Sequence, residues 1–278
     1  GFDHSAVNTC FLSRHPDEPE DDKLYHHCLG VVWNNQPIDL ADLCESCGLN
    51  LGTLVAWEAN GTRLESSVLA LGAEPPDLEP TVFRIKMLQA SHPAIEWDRI
   101  ILVVNNRKTK ARYDKWVTQW SNPTNKIWLR ELPDAFLRLG NNNTDPEPSN
   151  NAWFPPRTPG RYYHHTSAWE MRSEITEHGH GNQACYAANG TIVTSGIGAG
   201  TADYVGIGEG FDPGHVTYDV DPYIRALQLD GNPCLKDRSY LIIRGINLTH
   251  AVIYQGVNTD DYLLCRPPSA GVLLPEQN

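Results

Sequence analysis

The chain has 278 residues, 40% hydrophobic and 20% charged with eight Trp, the composition of a folded protein able to bury a substantial core. Its net charge of −12 disfavours non-specific attachment to nucleic acid or anionic membrane, because a polyanion prefers a basic surface. No window of about 18 apolar residues exists to cross a bilayer as a helix, so no membrane span is expected.

Seven Cys against two Met point to export, as does an opening at Gly1 in the manner of a processed chain. The sequons Asn60-Gly-Thr, Asn142-Asn-Thr, Asn189-Gly-Thr and Asn247-Leu-Thr point the same way. The expectation is a secreted glycoprotein with up to three disulfides and one odd thiol; a cytosolic protein with reduced thiols is the alternative.

Residues 1–23 carry Cys10 and an acidic, Pro-containing run too poor in apolar groups to pack, and read as a surface arm. LYHHCLGVVW then reads as a buried strand ending at the Asn34-Asn35 turn. Residues 38–60 read as two short helices joined at Gly48, with Ile38, Leu40, Leu43 and Cys44 on one face and Leu51, Leu54, Val55 and Trp57 on another. This stretch resembles the helix pair of a lysin-motif module, which implies sugar binding, and also a helix-turn-helix. The second lacks a basic recognition helix, and Trp57-Glu58-Ala59 departs from the Trp-Asn-Pro of the first. Cys44-x-x-Cys47 has the spacing of half a zinc site with Cys28, His26 or His27, although a disulfide to Cys10 or Cys28 is favoured in a secreted chain.

Beyond a Pro-rich link at 74–80, WDRIILVVNN reads as a buried strand, KTKARYDKWVTQW as an amphipathic helix and NKIWLREL as a second strand, a βαβ unit. Arg107, Lys108, Lys110 and Arg112 crowd its turn, either as a solvated helix face or as a seat for an anion. Residues 139–160 are so rich in Asn and Pro that they read as a linker. The predicted architecture is therefore α+β. An α/β lobe at 1–138 precedes a β-rich catalytic or binding lobe with an antiparallel sheet at 161–278.

Arg161 to Asp203 holds four of the eleven His. RYYHHTS reads as a strand with His164 and His165 on opposite faces. AWEMRSEITEHG reads as a helix capped by Thr166 or Ser167, which would stack Glu170 on Glu174. GHGNQACY reads as a turn and strand, and YAANGTIVTSG as a hairpin about Asn189-Gly190 that brings Tyr186 near Ile192 to Thr194. GIGAGTAD resembles a phosphate-cradling glycine loop but lacks the Gly-Lys-Ser that would complete it.

Gly-His-Gly-Asn-Gln-x-x-Tyr, Ala-Gly-Thr-Ala-Asp, and His215 followed by Asp219-Val-Asp221-Pro resemble C-terminal modules of secreted bacterial and fungal toxin-like proteins. The resemblance covers about residues 160–235, and Ala187 stands where Asp is the expected residue. It implies an enzyme directed at another cell's molecules.

Three chemistries fit these residue types. The favoured one is histidine general acid/base cleavage of a phosphodiester or nucleotide: His165 and His180 move protons, Arg172 stabilises the charged phosphorane and Glu174 orients a His. Asn182, Gln183, Tyr186, Thr201 and Asp203 then bind substrate, and Arg107 and Lys108 supply a basic track. This reading needs no cofactor. The second is a zinc hydrolase with His178, His180 and His215 as ligands, or Asp203 in place of His215. The third makes Cys185 a thiolate nucleophile beside His165 or His215. A small molecule, nucleotide or glycan is the expected substrate, and nucleic acid is admitted as a partner. A carbohydrate-binding or host-interacting protein without catalysis is the alternative. YIRALQLD, SYLIIRGINL and HAVIYQGV read as closing strands, with Cys234 and Cys265 as a staple that leaves Cys185 unpaired.

Overall fold

A computed structural model describes residues 26–46, 54–89, 96–136, 138–139, 153–155, 157, 167–196, 198–232 and 256–268. The class is α+β. The chain forms two compact units, Gly1–Tyr113 with Ile224–Asn258, and Asp114–Tyr223 with Thr259–Asn278. The arm at 1–23 and nearly all of the linker at 139–160 lie outside the described residues.

The first unit is built on a five-stranded sheet of β1 (His26–Val32), β3 (Leu54–Ala59), β4 (Thr62–Leu64), β6 (Thr81–Gln89) and β7 (Glu96–Asn105). Its order is β1-β7-β6-β3-β4, parallel between β1 and β7 and antiparallel elsewhere. Period-2 alternation sends Ile100, Leu102 and Val104 to one face, where they pack with Leu29, Val31, Trp57, Ile85 and Met87. Ile101 and Val103 go to the other with Val82. Ile38 of β2 (Ile38–Asp39) and Leu40, Leu43 and Cys44 of α1 (Leu40–Ser46) complete the first layer. β2 pairs with β5 (Val68–Leu69). Gly30 is where α3 (Asp221–Leu229) and the turn after it approach β1: a Cβ at Gly30 would overlap the Leu229 carbonyl oxygen and lie 2.6 Å from the Gly231 nitrogen.

Only the first half of the expected helix pair forms. Leu54–Ala59 is a strand, because Asn60 (φ 49°) and Gly61 (φ 83°) turn it back onto β4 as a hairpin and pairing with β6 buries Trp57. The lysin-motif resemblance loses its second helix there. The last member of the expected βαβ unit differs too. After α2 (Arg107–Ser121), Asn122 accepts from the Thr124 N–H and Pro123 starts a 3₁₀ helix, Pro123–Glu131. β7's parallel partner is instead β1, earlier in the chain.

The second unit holds a three-stranded antiparallel sheet of β8 (Trp169–Arg172), β9 (Gly181–Tyr186) and β10 (Ala202–Asp203), in the order β10-β9-β8. Every residue of β9 is buried. The Asn189-Gly190 hairpin forms as its sequence predicts, with Gly190 at φ 79° and Tyr186 bridged to Ile192. The expected helix over AWEMRSEITEHG is strand β8, so Glu170 faces Cys185 across the sheet and does not stack on exposed Glu174. YIRALQLD is helical within α3 up to Leu229, where a strand was expected; residues 250–255 of the expected strand HAVIYQGV lie outside the described residues, and its last residue, Val257, opens α4 (Val257–Cys265). SYLIIRGINL lies outside the described residues. Cys265, the expected partner of Cys234, is a free thiol, as is Cys185. No helix among the described residues is long and apolar enough to cross a membrane.

Candidate functional site

The second unit carries a chain of alternating charges. Arg157 adds to the edge of β8, exchanging backbone hydrogen bonds with Glu170 at 2.9 and 2.7 Å, and its Nε donates to Glu170 Oε1 at 2.8 Å. Glu170 and Arg172 lie two residues apart on β8 and so share a face. Arg172 donates from Nε to Glu170 Oε1 and from Nη1 to Asp203 Oδ2, both at 3.2 Å. Gln183, opposite Arg172 in register, donates to Glu170 Oε2 at 3.0 Å. These contacts let Glu170 and Asp203 sit buried in a sheet, because an unpaired carboxylate there would be prohibitive.

Asp203 ends β10 and meets a helical segment. Asp212 caps the turn Pro213–His215, which passes through a wider π turn, Val216–Val220, into α3. His215 and Asp219, four residues apart, point the same way. His215 Nδ1 lies 3.0 Å from the Val205 carbonyl oxygen, 3.5 Å from Asp219 Oδ2 and 3.9 Å from Asp203 Oδ2. A carbonyl can only accept, so the neutral ring carries its proton on Nδ1. Nε2 has no hydrogen-bond partner among the described residues. Asp219 Oδ1 accepts from Tyr204 N and from Arg266 Nε at 2.7 Å, and Oδ2 accepts from Val205 N.

Burial pushes the Asp203 carboxyl up to about 7, against the pull of the His215 and Arg172 charges. Burial pulls the His215 imidazole down, but its bond to Asp219 and the charges of Asp203 and Asp219 outweigh it and hold the ring above its ordinary value. Burial also pushes Asp219 up, and there the His215 bond, the Arg266 charge and the Val205 N–H outweigh it, leaving Asp219 below the usual carboxylate range. Asp203 therefore titrates near neutrality beside an imidazole biased toward its charged form, the arrangement that acid/base proton transfer needs.

Several expected site residues belong to this constellation: Arg172, Gln183, Asp203 and His215. Others do not. His165 lies outside the described residues. His180 is buried among Trp128 and Tyr204 with Nδ1 2.6 Å from the Tyr204 carbonyl oxygen, an architectural position. His178 is on the exposed turn before it, 2.9 Å from Glu131, so the two His do not alternate along a strand as zinc ligation would need. Glu174 is exposed and orients no His among the described residues. Asn182 donates to the Pro133 carbonyl at 2.9 Å, and Tyr186 packs in an apolar cluster with Trp153 and Met171. Thr201 is buried and bridges Pro268. Arg107 and Lys108 are in the first unit, where Arg107 pairs with Glu74 at 3.2 Å. Gly200 serves the fold, since a Cβ there would overlap the Gln183 carbonyl oxygen; the glycine loop lies against β9.

Cys185 is fully buried, and burial with Glu170 nearby pushes its thiol far up, leaving no thiolate for nucleophilic attack at neutral pH. Asp203, His215 and Asp219 do bring one ligand atom each within 4.8 Å of one another. That set does not fit zinc. Arg172 holds Asp203, Arg266 and two backbone N–H groups hold Asp219, and a cation would have to enter beside two guanidiniums. Glu170, Asp219 and Arg266 receive no site role from sequence reasoning. The four-residue spacing of His215 and Asp219 is a usable signal for one of them; Arg266, 47 positions from Asp219, carries none.

Comparison with family models, with curated proteins and with solved structures finds no match to this chain.

Proposed function

We propose that the second unit is the catalytic part of a secreted toxin-like or effector-like hydrolase that acts by general acid/base chemistry on a phosphodiester or nucleotide. His215 and Asp203 replace the His165 and His180 of the sequence reading, and Arg172 keeps its place as the electrostatic clamp. The observation that carries this is the fixed imidazole: Nδ1 is anchored on the Val205 carbonyl between two carboxylates, and Nε2 is left unengaged. In its charged, doubly protonated form His215 gives the Nε2 proton to the leaving oxygen and is left as the neutral Nδ1–H ring, while the Asp203 carboxylate takes a proton from the attacking hydroxyl and Arg172 stabilises charge on the phosphorane.

The charge balance supports an anionic substrate. Arg157, Arg172, Arg266 and the raised His215 face Glu170, Asp219 and an Asp203 that is half protonated near pH 7, so the network is cationic inside an acidic protein. Export is supported by the exposure of Asn60 and Asn189, each on a hairpin turn. A glycan-binding reading draws on exposed Phe211 and Tyr218, rings that flank His215 in sequence.

The test is an assay of the full chain and its His215→Ala, Asp203→Asn and His178→Ala variants on RNA, DNA, NAD, mononucleotides and glycans. The first two should lose at least ~100-fold of a phosphoester-cleaving activity, the usual contribution of a positioned acid or base, with His178→Ala unchanged. Retention on chitin or cell-wall material with no turnover of any substrate would favour the binding reading instead.

A further inference from the structure

We propose that Arg266 is the positioning residue of this site: it fixes Asp219, and through Asp219 the backbone that holds the His215 ring in one orientation. The inference rests on the reading of His215 as the proton-transfer group, but its geometry is independent of any substrate.

Arg266 is the largest fully buried side chain of the described residues. Burying a guanidinium carries a desolvation penalty that an apolar side chain of similar size would avoid, so filling space does not account for it. What the guanidinium adds is directional. Nε donates to Asp219 Oδ1 at 2.7 Å, Nη1 to the Cys265 carbonyl at 3.3 Å and Nη2 to the Tyr218 carbonyl at 3.1 Å. The rings of Trp120, Trp116, Trp128 and Tyr204 surround it at 4.2, 5.1, 5.5 and 5.8 Å, within the range of cation–π attraction, and leave the planar fork little room to turn.

The consequence runs through Asp219. With Oδ1 tied to Arg266, the carboxylate plane is set and Oδ2 is presented to Val205 N and to His215. The Tyr204 and Val205 N–H groups, both at 3.0 Å, then hold that stretch of chain after β10, and the Val205 carbonyl takes His215 Nδ1. Arg266 thus selects the Nδ1–H tautomer and turns Nε2 away from the carboxylates. It touches no reacting atom. Outer partners of this kind fix the tautomer and direction of a working imidazole.

The experiment is nitrogen NMR of the His215 imidazole in the full chain, at a pH above its titration, for the native protein, Arg266→Lys and Leu129→Ala. Lysine keeps the charge and loses the fork, so electrostatics change little while geometry changes. Leu129 is buried in the same aromatic cluster and serves as a purely destabilising control. The native ring should be Nδ1–H, Arg266→Lys should make Nε2–H the majority form, and Leu129→Ala should keep the native tautomer despite a lower Tm. An unchanged tautomer in Arg266→Lys, or an equal change in Leu129→Ala, overturns the proposal.

Should Arg266→Lys not fold, the native protein supplies a second measurement. The Arg266 Nε–H should be protected from exchange and should move with the titration of His215; an Nε–H signal indifferent to that titration also overturns it. Loss of activity is not the readout, so an inactive native protein or an active His215→Ala variant would defeat the proposed function while leaving the dependence of the His215 ring orientation on Arg266 standing.

Discussion

Asp219→Asn keeps the shape of the side chain and removes its charge, which makes it a sharp test of how the second unit is held together. In the native protein both carboxylate oxygens accept: Oδ1 from Tyr204 N and Arg266 Nε, Oδ2 from Val205 N, with His215 Nδ1 3.5 Å away. An amide has one accepting atom, so whichever way the substituted side chain turns, its NH₂ meets a donor. Two losses combine. A buried donor without an acceptor costs about 1–3 kcal/mol, and a buried Arg266 without its counter-charge costs about 3–5 kcal/mol as one partner of a broken buried pair. The two overlap, so the expected loss is ~4 kcal/mol, which lowers the melting temperature by about 10 °C in a protein of this size. Denaturant titration followed by Trp fluorescence is the natural assay, since Trp116, Trp120 and Trp128 lie against the Arg266 guanidinium. Arg266→Met alone should be costly for the mirror reason. The double variant should be less destabilised than the sum of the singles by about 1–3 kcal/mol, because no orphaned charge remains. A cost for Asp219→Asn below ~1 kcal/mol, or additivity within ~0.5 kcal/mol, would refute the idea that the pair neutralises itself in the interior.

Other outcomes follow from the same geometry. Asp203, raised by burial from its ordinary value to about 7, stabilises the fold most when protonated; that contribution is present at low pH and is lost as pH rises through about 7. His215, also raised, acts in the same direction as it loses its proton, whereas the lowered Asp219 gives stability above the ordinary carboxylate range that is lost on acidification. The denaturation midpoint should therefore fall between about pH 4 and about pH 7, from the ordinary to the raised Asp203 value, and Asp203→Asn should flatten that fall; a native midpoint independent of pH in this window would contradict the assignment. Gly200→Ala forces a methyl into the Gln183 backbone, 2.5 Å from its carbonyl carbon, where no rotamer change relieves the overlap. It should cost at least ~3 kcal/mol by denaturant titration, and a cost under ~1 kcal/mol would mean that the loop gives way freely. Expression through a eukaryotic secretory pathway should add glycans at Asn60 and Asn189, both exposed, detectable as a mass shift removed by an N-glycosidase.

The sequence by itself determined the elements whose signal is strong and local. Ile100 to Val104 is apolar enough to be a strand anywhere, α2 keeps one period for 15 residues, and Asn189-Gly190 selects a hairpin turn by the φ its residues tolerate. The same kind of reasoning singled out Arg172, Gln183, Asp203 and His215 from their type and density, and the structure brings those four into one charged cluster. It went astray where a short stretch satisfies two periods. Trp169 to Gly179 can be drawn as an amphipathic helix, and it opens as a strand because Arg157 and Arg172 neutralise Glu170, a carboxylate that no isolated strand would bury. Asp221 to Leu229 can be drawn as an alternating strand, and it continues the helical segment that Asp212 and Pro213 begin.

Tertiary structure alone decided which of the histidines His178, His180 and His215 faces two carboxylates and which is packing. His180 and His215 carry the same side chain and both hydrogen-bond a carbonyl, yet the first packs against the tilted rings of Trp128 and Tyr204 and the second lies between Asp203 and Asp219. Charge interactions depend on distance in space, and Arg266 reaches Asp219 across 47 positions of chain. No spacing rule in the sequence encodes that approach.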